Sequence, residues 1–367
     1  MKIKKILIMG NNDHKGGLIV HYEYLVNFLY RNGYEIICLN INDNNKKNFD
    51  QKNVAEFRIP YNPSTNLEKL NKLFSIFKSC IKVLKFKPDL FIATGMGKSY
   101  TTIASILGKE TFKIHQEVIF DAKLDEYHKK IIQNFDAIAV QTKSMIENYK
   151  NNVSDKINID YLPCFTRAME AATNSYSKTD GLIRLAYFGR LAENKGLVNF
   201  IENTRNIFRD ENIILNIYGG GSEYQKIIDV INKYGISNKI FLKGFYSDED
   251  FPNLINTYDA IILPSTHNEG LPLVLLESMF YNKPIFASKM GAIPELANIN
   301  KGIYLSEFDT NQTSSFYEFL TLLKNNSFSK INIRNLYFNN FSNKCFEETW
   351  NLMLENPKLY FGKNGKK

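Results

Sequence analysis

Short apolar runs alternate with longer amphipathic stretches along the whole chain, the pattern that parallel sheets with crossover helices produce. In the first half it predicts strands near 6–9, 35–40, 90–94, 112–115, 137–141 and 157–162. Between the first two, Leu18, Tyr22, Leu25, Val26 and Leu29 recur at helical spacing, and Asn32-Gly33 then stops the helix. One strand-helix-strand unit is thereby complete. In the second half, strands are expected near 185–188, 213–218, 240–242, 260–263 and 284–287.

The stretch 166–181 is polar, rich in small residues and without periodicity, which makes it an interdomain linker. The chain therefore divides into a domain of residues 1–165, the linker, a domain of residues 182–340, and a C-terminal helix and tail, 341–367, expected to pack back across the domains. In the final helix, near 342–355, Cys345, Phe346, Thr349, Trp350 and Met353 form one stripe. A further helix is expected over 67–87, with Leu70, Phe74, Phe77, Ile81 and Leu84 on one face and Lys78, Lys82 and Lys85 together on another. A helix leading into a strand at Lys87-Pro88-Asp89 is expected to lay its apolar face on the sheet, leaving the lysines to face outward.

A length of 367 residues suits two domains, and 44% apolar with 23% charged residues is the composition of a globular chain. Cys38, Cys80, Cys164 and Cys345 are scattered with no CxxC pair, so neither a zinc site nor a disulfide framework is suggested, and a reducing cytosol fits. The apolar run after the N-terminal lysines is too short for a signal peptide, and nothing later approaches a membrane span. The net charge of +8 is uneven: 25 basic residues face 18 acidic ones up to residue 170, against 21 and 20 beyond it. An excess in the first half suits an anionic partner, a phospholipid surface or an anionic acceptor; nucleic acid is disfavoured because no basic-aromatic motif accompanies the charge.

Two segments carry candidate chemistry. The first, LPSTHNEGLPLVLLESM over 263–279, follows an apolar strand and opens into a helix. Gly270 lets the backbone approach a ligand, Leu271 follows it, and Pro272 suits a first helical turn, where its missing N–H has no intrahelical partner to lose. The N–H groups of Leu273 and Val274, with the positive end of the helix dipole, then form a diphosphate site. Glu269 in the loop and Glu277 in the helix are acceptors for sugar or ribose hydroxyls. The second segment, YFGRLAENKG over 187–196, also follows a strand; Arg190 and Lys195 can neutralise a diphosphate leaving group, and Gly189 and Gly196 permit tight turns. Strand ends are where open α/β sheets bind ligands.

Together these segments resemble the retaining glycosyltransferases of family 4. The resemblance runs through Gly189-Arg190-Leu191 with Lys195-Gly196, the glycine-rich strand end Gly219-Gly220-Gly221, Pro264-Ser265 with Glu269 and Glu277, and Gly291-Ala292-Ile293-Pro294-Glu295. In the first half, Gly16-Gly17 matches the family's first-loop glycine pair and His115 the histidine that many members carry at a strand end. Three positions depart from the pattern. Pro272 stands where many members have a second glycine, Asn282 replaces the glycine before Lys283-Pro284, and Pro163-Cys164-Phe165 replaces a frequent proline-asparagine-glycine. Asn tolerates positive φ, so the turn at Asn282 can survive.

The resemblance implies a GT-B fold: two Rossmann-like α/β domains with mainly parallel sheets facing an interdomain cleft. It implies transfer of a sugar, with retention, from a nucleoside-diphosphate donor (a UDP-hexose or UDP-N-acetylhexosamine before GDP-mannose) to a glycan or lipid-linked hydroxyl, in bacterial surface polysaccharide synthesis. No metal or other cofactor is expected. The roles implied are Arg190 and Lys195 on the leaving group, Glu269 on the transferred sugar, His115 orienting that sugar, Glu277 on the ribose, and Gly16, Gly17, Gly189, Gly219, Gly270, Leu271, Leu273 and Val274 around the donor. The scattered cysteines fit a cytoplasmic location, and the basic excess with Lys78, Lys82 and Lys85 adds the cytosolic face of an anionic membrane as a further partner, held through the lysines with the apolar face kept in the core. Alanine at Glu277 or Lys195 is expected to remove activity and leave folding intact. Two rival readings stand beside this one. A dinucleotide-dependent oxidoreductase is suggested by Gly219-Gly-Gly-Ser-Glu-Tyr224, although Tyr224 occupies the third glycine's place. The other is a different GT-B enzyme, such as an epimerase, or a sugar-nucleotide binder without catalysis.

Overall fold

The computed structural model describes residues 2–11, 17–41, 49, 52–59, 65–95, 97–117, 126–152, 158–167, 169, 181–306 and 312–362. Of the expected linker, residues 168 and 170–180 lie outside these, as does Gly16. The chain forms two units: Met1–Arg167 with Asn343–Lys367, and Ala168–Ser342.

In the first unit the strands are β1 (Lys5–Asn11), β2 (Glu35–Ile41), β3 (Val54–Ile59), β4 (Leu90–Ala93), β5 (Phe112–Glu117), β6 (Ala137–Val140) and β7 (Asn158–Tyr161), with helices α1 (Gly17–Arg31), α2 (Asn66–Phe86), α3 (Lys98–Ile106), α4 (Glu126–Ile132) and α5 (Lys143–Asn152) between them. The strands make one sheet in the order β3-β2-β1-β4-β5-β6-β7, every pair parallel. Its middle is sealed on both faces: Ile6, Leu7, Ile8 and Met9 of β1 and all of β4 are buried, as the continuous apolar runs of a parallel sheet require. Tyr22, Leu25, Val26 and Leu29 of α1 are buried at the predicted spacing, and Gly33, at φ +81°, ends that helix.

The second unit repeats the plan with β8 (Ile183–Phe188), α6 (Leu197–Asp210), β9 (Ile213–Tyr218), α7 (Tyr224–Tyr234), β10 (Ile240–Gly244), α8 (Phe251–Asn256), β11 (Ala260–Leu263), α9 (Leu273–Phe280), β12 (Ile285–Ser288), α10 (Ile293–Ile299), β13 (Ile303–Ser306), α11 (Gln312–Lys324) and α12 (Ile333–Asn340). Its sheet is also parallel, ordered β10-β9-β8-β11-β12-β13. One face is filled by aromatic rings, with Phe200 and Phe286 both meeting Phe316, edge to face at centroid distances of 5.0 and 5.2 Å. Asn282 holds φ +57° in the turn before Lys283-Pro284. Lys283 is half-buried there and donates to the carbonyls of Asn256 (2.9 Å) and Tyr258 (2.8 Å), and desolvation lowers its pKa to about 8.

Helices α13 (Asn343–Glu355) and α14 (Pro357–Gly362) return to the first unit. Thr166 and Asn343 join in a reciprocal pair of hydrogen bonds at 2.9 Å, so the outgoing and returning chains are tied side by side. Phe165, in the stretch that departs from the family pattern, is fully buried against Tyr24, Phe28, His21 and Trp350, and the Trp350 indole N–H donates to the Pro163 carbonyl at 2.9 Å. The stripe of α13 is buried at Phe346, Trp350, Met353 and Leu354.

His21 closes this cluster. Its Nδ1 accepts from the Phe165 N–H (2.9 Å) and its Nε2 donates to Gln116 Oε1 (2.8 Å), which makes the ring neutral with its hydrogen on Nε2. Burial lowers its pKa from 6.5 to about 4. A base whose folded pKa lies below its unfolded value is protonated first in the unfolded chain. Stability is therefore full above pH 6.5 and falls as pH drops toward 4, by about 3 kcal/mol for a shift of this size. A series of thermal melts from neutral pH downward will show a falling midpoint, and His21→Gln will flatten the slope across that window. A variant with the wild-type slope would remove His21 as its source.

Helix α2 departs from expectation. Its ends are as the sequence implies: Thr65 and Glu68 form a capping box, with Glu68 N–H to Thr65 Oγ1 at 3.2 Å and Thr65 N–H to Glu68 Oε2 at 3.1 Å, and Lys87 closes the helix in the left-handed region ahead of Pro88. Its apolar face, however, does not lie on the sheet. Ser79 and Val83 are the buried residues, and Ile76, Cys80 and Phe86 pack partly against the same core, whereas Leu67, Leu70, Phe74, Phe77, Ile81 and Leu84 are 40–69% exposed. The helix rests instead on a second, narrower apolar face, Ile76, Cys80, Val83 and Phe86, with Ser79 among them.

Candidate active site

The order of the second sheet reverses between β8 and β11: strands 8, 9 and 10 step one way, 11, 12 and 13 the other. The loops leaving neighbouring strand ends diverge at such a point and leave a crevice, the place where open α/β sheets take ligands. Both predicted segments leave from its two sides. After β8 come Gly189, Arg190 and a single turn of 3-10 helix, Glu193–Lys195; after β11 comes the loop 264–272.

The structure joins these loops through two side chains that the sequence reading had given separate roles. Lys195 Nζ lies 2.5 Å from Glu269 Oε1, with the side chains 20% and 17% exposed. Ser265 Oγ donates to the same Oε1 at 2.6 Å. Among the described residues Glu269 Oε2 accepts no hydrogen bond, so the carboxylate is held through one oxygen and presents the other. At this degree of burial, attraction between the charges is less screened than at the surface, and their desolvation is offset by the pairing itself.

The backbone fixes the pair. Thr266 N–H donates to the Asn194 carbonyl (3.1 Å) and Thr266 Oγ1 to that of Glu193 (3.3 Å), so the 3-10 turn and the β11 loop are one body. On the far side, Ala292 N–H donates to the Glu269 carbonyl (2.9 Å), and Asn268 Oδ1 accepts from the Gly291 N–H (2.6 Å). Two glycines permit this closeness. Gly196 sits at φ +67° and a Cβ on it would fall on the Pro264 carbonyl oxygen; Gly291 sits at φ +58° and its Cβ would fall on the Glu269 backbone. Neither position tolerates a side chain without displacing the loop that carries Glu269.

Gly219 also has a packing reason, since its Cβ position is occupied by the Gly189 carbonyl. Gly189 N–H donates to the Tyr218 carbonyl (3.1 Å) and Leu191 N–H to that of Gly220 (2.9 Å), which lays the two loops edge to edge. Packing of the glycine run against the β8 loop accounts for it, without a dinucleotide fingerprint. Tyr187 donates to the Arg190 carbonyl (2.9 Å), holding the backbone while the arginine side chain is exposed. Burial pushes the Tyr187 hydroxyl pKa well up, so it stays a donor.

Beyond Gly270 and Leu271, Pro272 occupies the cap at φ −67°, one residue earlier than a first-turn position, and α9 begins at Leu273. The N–H groups of Leu273 and Val274 have no intrahelical acceptor and face outward from the positive end of the helix. Glu277, one turn into α9, is 3% exposed; the sequence reading, which kept it out of any core, is corrected here.

The remaining candidates lie in the first unit. Gly17 opens α1. His115, on β5, is 1% exposed; its Nε2 meets Glu117 Oε2 at 3.3 Å and its ring packs on Phe135 at 5.5 Å. Among the described residues no group of three or more His, Cys, Asp and Glu side chains is placed to hold a metal ion, and no helix is long and apolar enough to cross a membrane. Ser265, Asn268 and Thr266 were missed as site residues. The Pro264-Ser265 pair was the available signal, but neither the serine's bond to Glu269 nor the threonine's to Glu193 can be read from local sequence.

Residues 169–335 match the glycosyl transferases group 1 family. Among relatives, the chain is 28% identical over 134 residues to an alpha-D-kanosaminyltransferase of Streptomyces kanamyceticus, covering 36% of this chain and 34% of that protein. It is 28% identical over 130 residues to the amylovoran biosynthesis glycosyltransferase AmsK of Erwinia amylovora, covering 34% and 32%. These alignments span about a third of each relative's length. Among solved structures, a sucrose-phosphate synthase from Thermosynechococcus elongatus superposes with a TM-score of 0.76 at 16% identity, over 98% of this chain and all of the other. Anabaena HepE, in complex with UDP and glucose, gives 0.73 at 16% identity, over 96% and 100%. That likeness shows the fold, two Rossmann-like α/β domains of the GT-B type. Residues 169–335, which lie in the second unit, are thus similar to the glycosyl transferases group 1 family.

Proposed function

We propose that the chain is a retaining glycosyltransferase that moves a sugar from a nucleoside diphosphate, a UDP-sugar before a GDP-sugar, to a hydroxyl of a glycan or lipid-linked acceptor. The observation that carries this reading is the Lys195–Glu269 pair, held at the β8/β11 reversal by three loops and standing ahead of the α9 N-terminus. A cation, a carboxylate and free helix N–H groups in one crevice are what a charged diphosphate joined to a polyhydroxylated sugar requires. The UDP and glucose held by HepE support the donor class, and the polysaccharide role named for AmsK supports assembly of a bacterial surface polysaccharide. The reaction is placed in the cytosol.

In this reading the bond from the anomeric carbon to the diphosphate oxygen breaks and the leaving group keeps the electron pair. Arg190 and Lys195 offset its growing charge. The acceptor oxygen forms the new bond on the same face, and its proton passes to the leaving phosphate. Glu269 Oε2 accepts from a sugar hydroxyl, Glu277 holds the ribose, and the backbone at Gly189, Gly219 and 270–274 cradles the diphosphate. His115, on β5, keeps the role of orienting the transferred sugar.

Charge compensation by two side chains makes the reaction independent of added metal. EDTA will leave the initial rate of sugar transfer unchanged; a loss that Mg²⁺ or Mn²⁺ restores would overturn this part. The anomeric configuration of the new glycosidic bond, read by NMR coupling constants, tests retention: the donor's configuration is expected, and its inverse would refute the mechanism.

A further inference from the structure

We propose that helix α2 lies in the surface of an anionic lipid bilayer, with its apolar stripe inserted below the headgroups and its lysines among them. Leu67, Leu70, Phe74, Phe77, Ile81 and Leu84 recur at alternating spacings of three and four, so the stripe runs the whole length of a 21-residue helix, and all six are exposed. A contiguous apolar surface of this length on a water-facing helix marks a contact made with something else.

That spacing is also the seam of a two-helix coiled coil, and charge decides between the two occupants. Helix α2 carries Lys69, Lys72, Lys78, Lys82 and Lys85, while its single acid, Glu68, is engaged in the cap with Thr65. Two copies of α2 would set lysine against lysine with no acidic row to answer them. An anionic bilayer meets both demands at once. Lys78, Lys82 and Lys85 run along one edge of the stripe, where the Lys78 ammonium lies over the Phe74 ring at 4.4 Å and that of Lys82 over the Phe57 ring at 3.6 Å, so the positive charge is held at the border of the apolar surface. The charge excess of the first 170 residues has the same sign. No described helix crosses a membrane, so the helix lies along the surface. The proposal is independent of the catalytic reading.

The test is flotation of the full chain with vesicles of phosphatidylcholine and phosphatidylglycerol, against vesicles of phosphatidylcholine alone. Phe77→Trp supplies a reporter of insertion, because the native Trp350 is fully buried. Binding to the anionic vesicles and a blue-shifted emission from Phe77→Trp are expected. Loss of Lys78, Lys82 and Lys85 together to glutamine should weaken binding by about a hundredfold. Phe74→Glu with Phe77→Glu should abolish it while leaving the melting midpoint in place, since both rings are exposed. No binding to the anionic vesicles, equal binding to neutral ones, or bound protein with unshifted emission would each overturn the proposal. So would a lipid-free dimer that the Phe74→Glu and Phe77→Glu pair dissolves, which would put a second copy on the stripe.

Discussion

Replacing Lys195 with alanine lowers the rate of sugar transfer by about a thousandfold, the scale on which loss of one preorganised donor at a developing oxyanion is felt. Two effects act together. The leaving diphosphate loses a cation, and Glu269 loses the partner 2.5 Å away that holds its Oε1, so the carboxylate no longer presents Oε2 in a fixed direction. Lys195→Arg keeps the charge but alters its reach and geometry, and should recover part of the loss. The pair is partly exposed, so the melting midpoint of Lys195→Ala should move little. Steady-state kinetics beside a melt decide the matter: near-native turnover by a folded variant would take Lys195 out of the mechanism. Glu277→Ala should also lose activity, but at 3% exposure the change empties a buried position and will lower stability as well.

Gly196→Ala has the largest expected effect on the fold. The residue sits at φ +67°, and its Cβ would fall on the Pro264 carbonyl and the Thr266 side chain. Left-handed strain and a backbone clash together should cost about 2–4 kcal/mol. The same displacement moves Lys195 on one side of the contact and Glu269 on the other, so UDP affinity should fall with stability. A calorimetric melt and a UDP titration measure both, and wild-type values in the two would show that the β8 and β11 loops are not coupled as described.

Much of the fold was legible in the sequence, and the exceptions have a physical pattern. Central strands such as β4 and β11 are buried on both faces, and their unbroken apolar runs announce them. The two strands that escaped notice, β3 (VAEFRI) and β13 (IYLS), are edges of their sheets. An edge strand is only partly covered: in β3 Ile59 alone is buried, so Glu56 and Arg58 can stand in the run that would have marked it. The stripe on α2 was legible, but its direction was not, because periodicity identifies an apolar face without saying which face the sheet receives. Ser79 and Val83 took that place instead.

The site was legible as two segments and illegible as one constellation. Residue type and position after a strand pointed to Arg190, Lys195 and Glu269, whereas the bond between Lys195 and Glu269 spans 74 residues of sequence and exists only because β8 and β11 are neighbours. The supports follow the same rule. Asn268 reaches Gly291 and Thr266 reaches Glu193, each across a strand interval that no local motif encodes.

Activation of a nucleotide-linked sugar in this crevice of the second unit is open to direct test. Acceptor-dependent release of nucleotide from a panel of UDP- and GDP-sugars, measured side by side for the native chain and for Lys195→Ala, tests it most directly. Release of one nucleotide by the native chain should rise when acceptor is supplied and all but vanish in the variant. Release that ignores the acceptor, or that proceeds equally without Lys195, would contradict it.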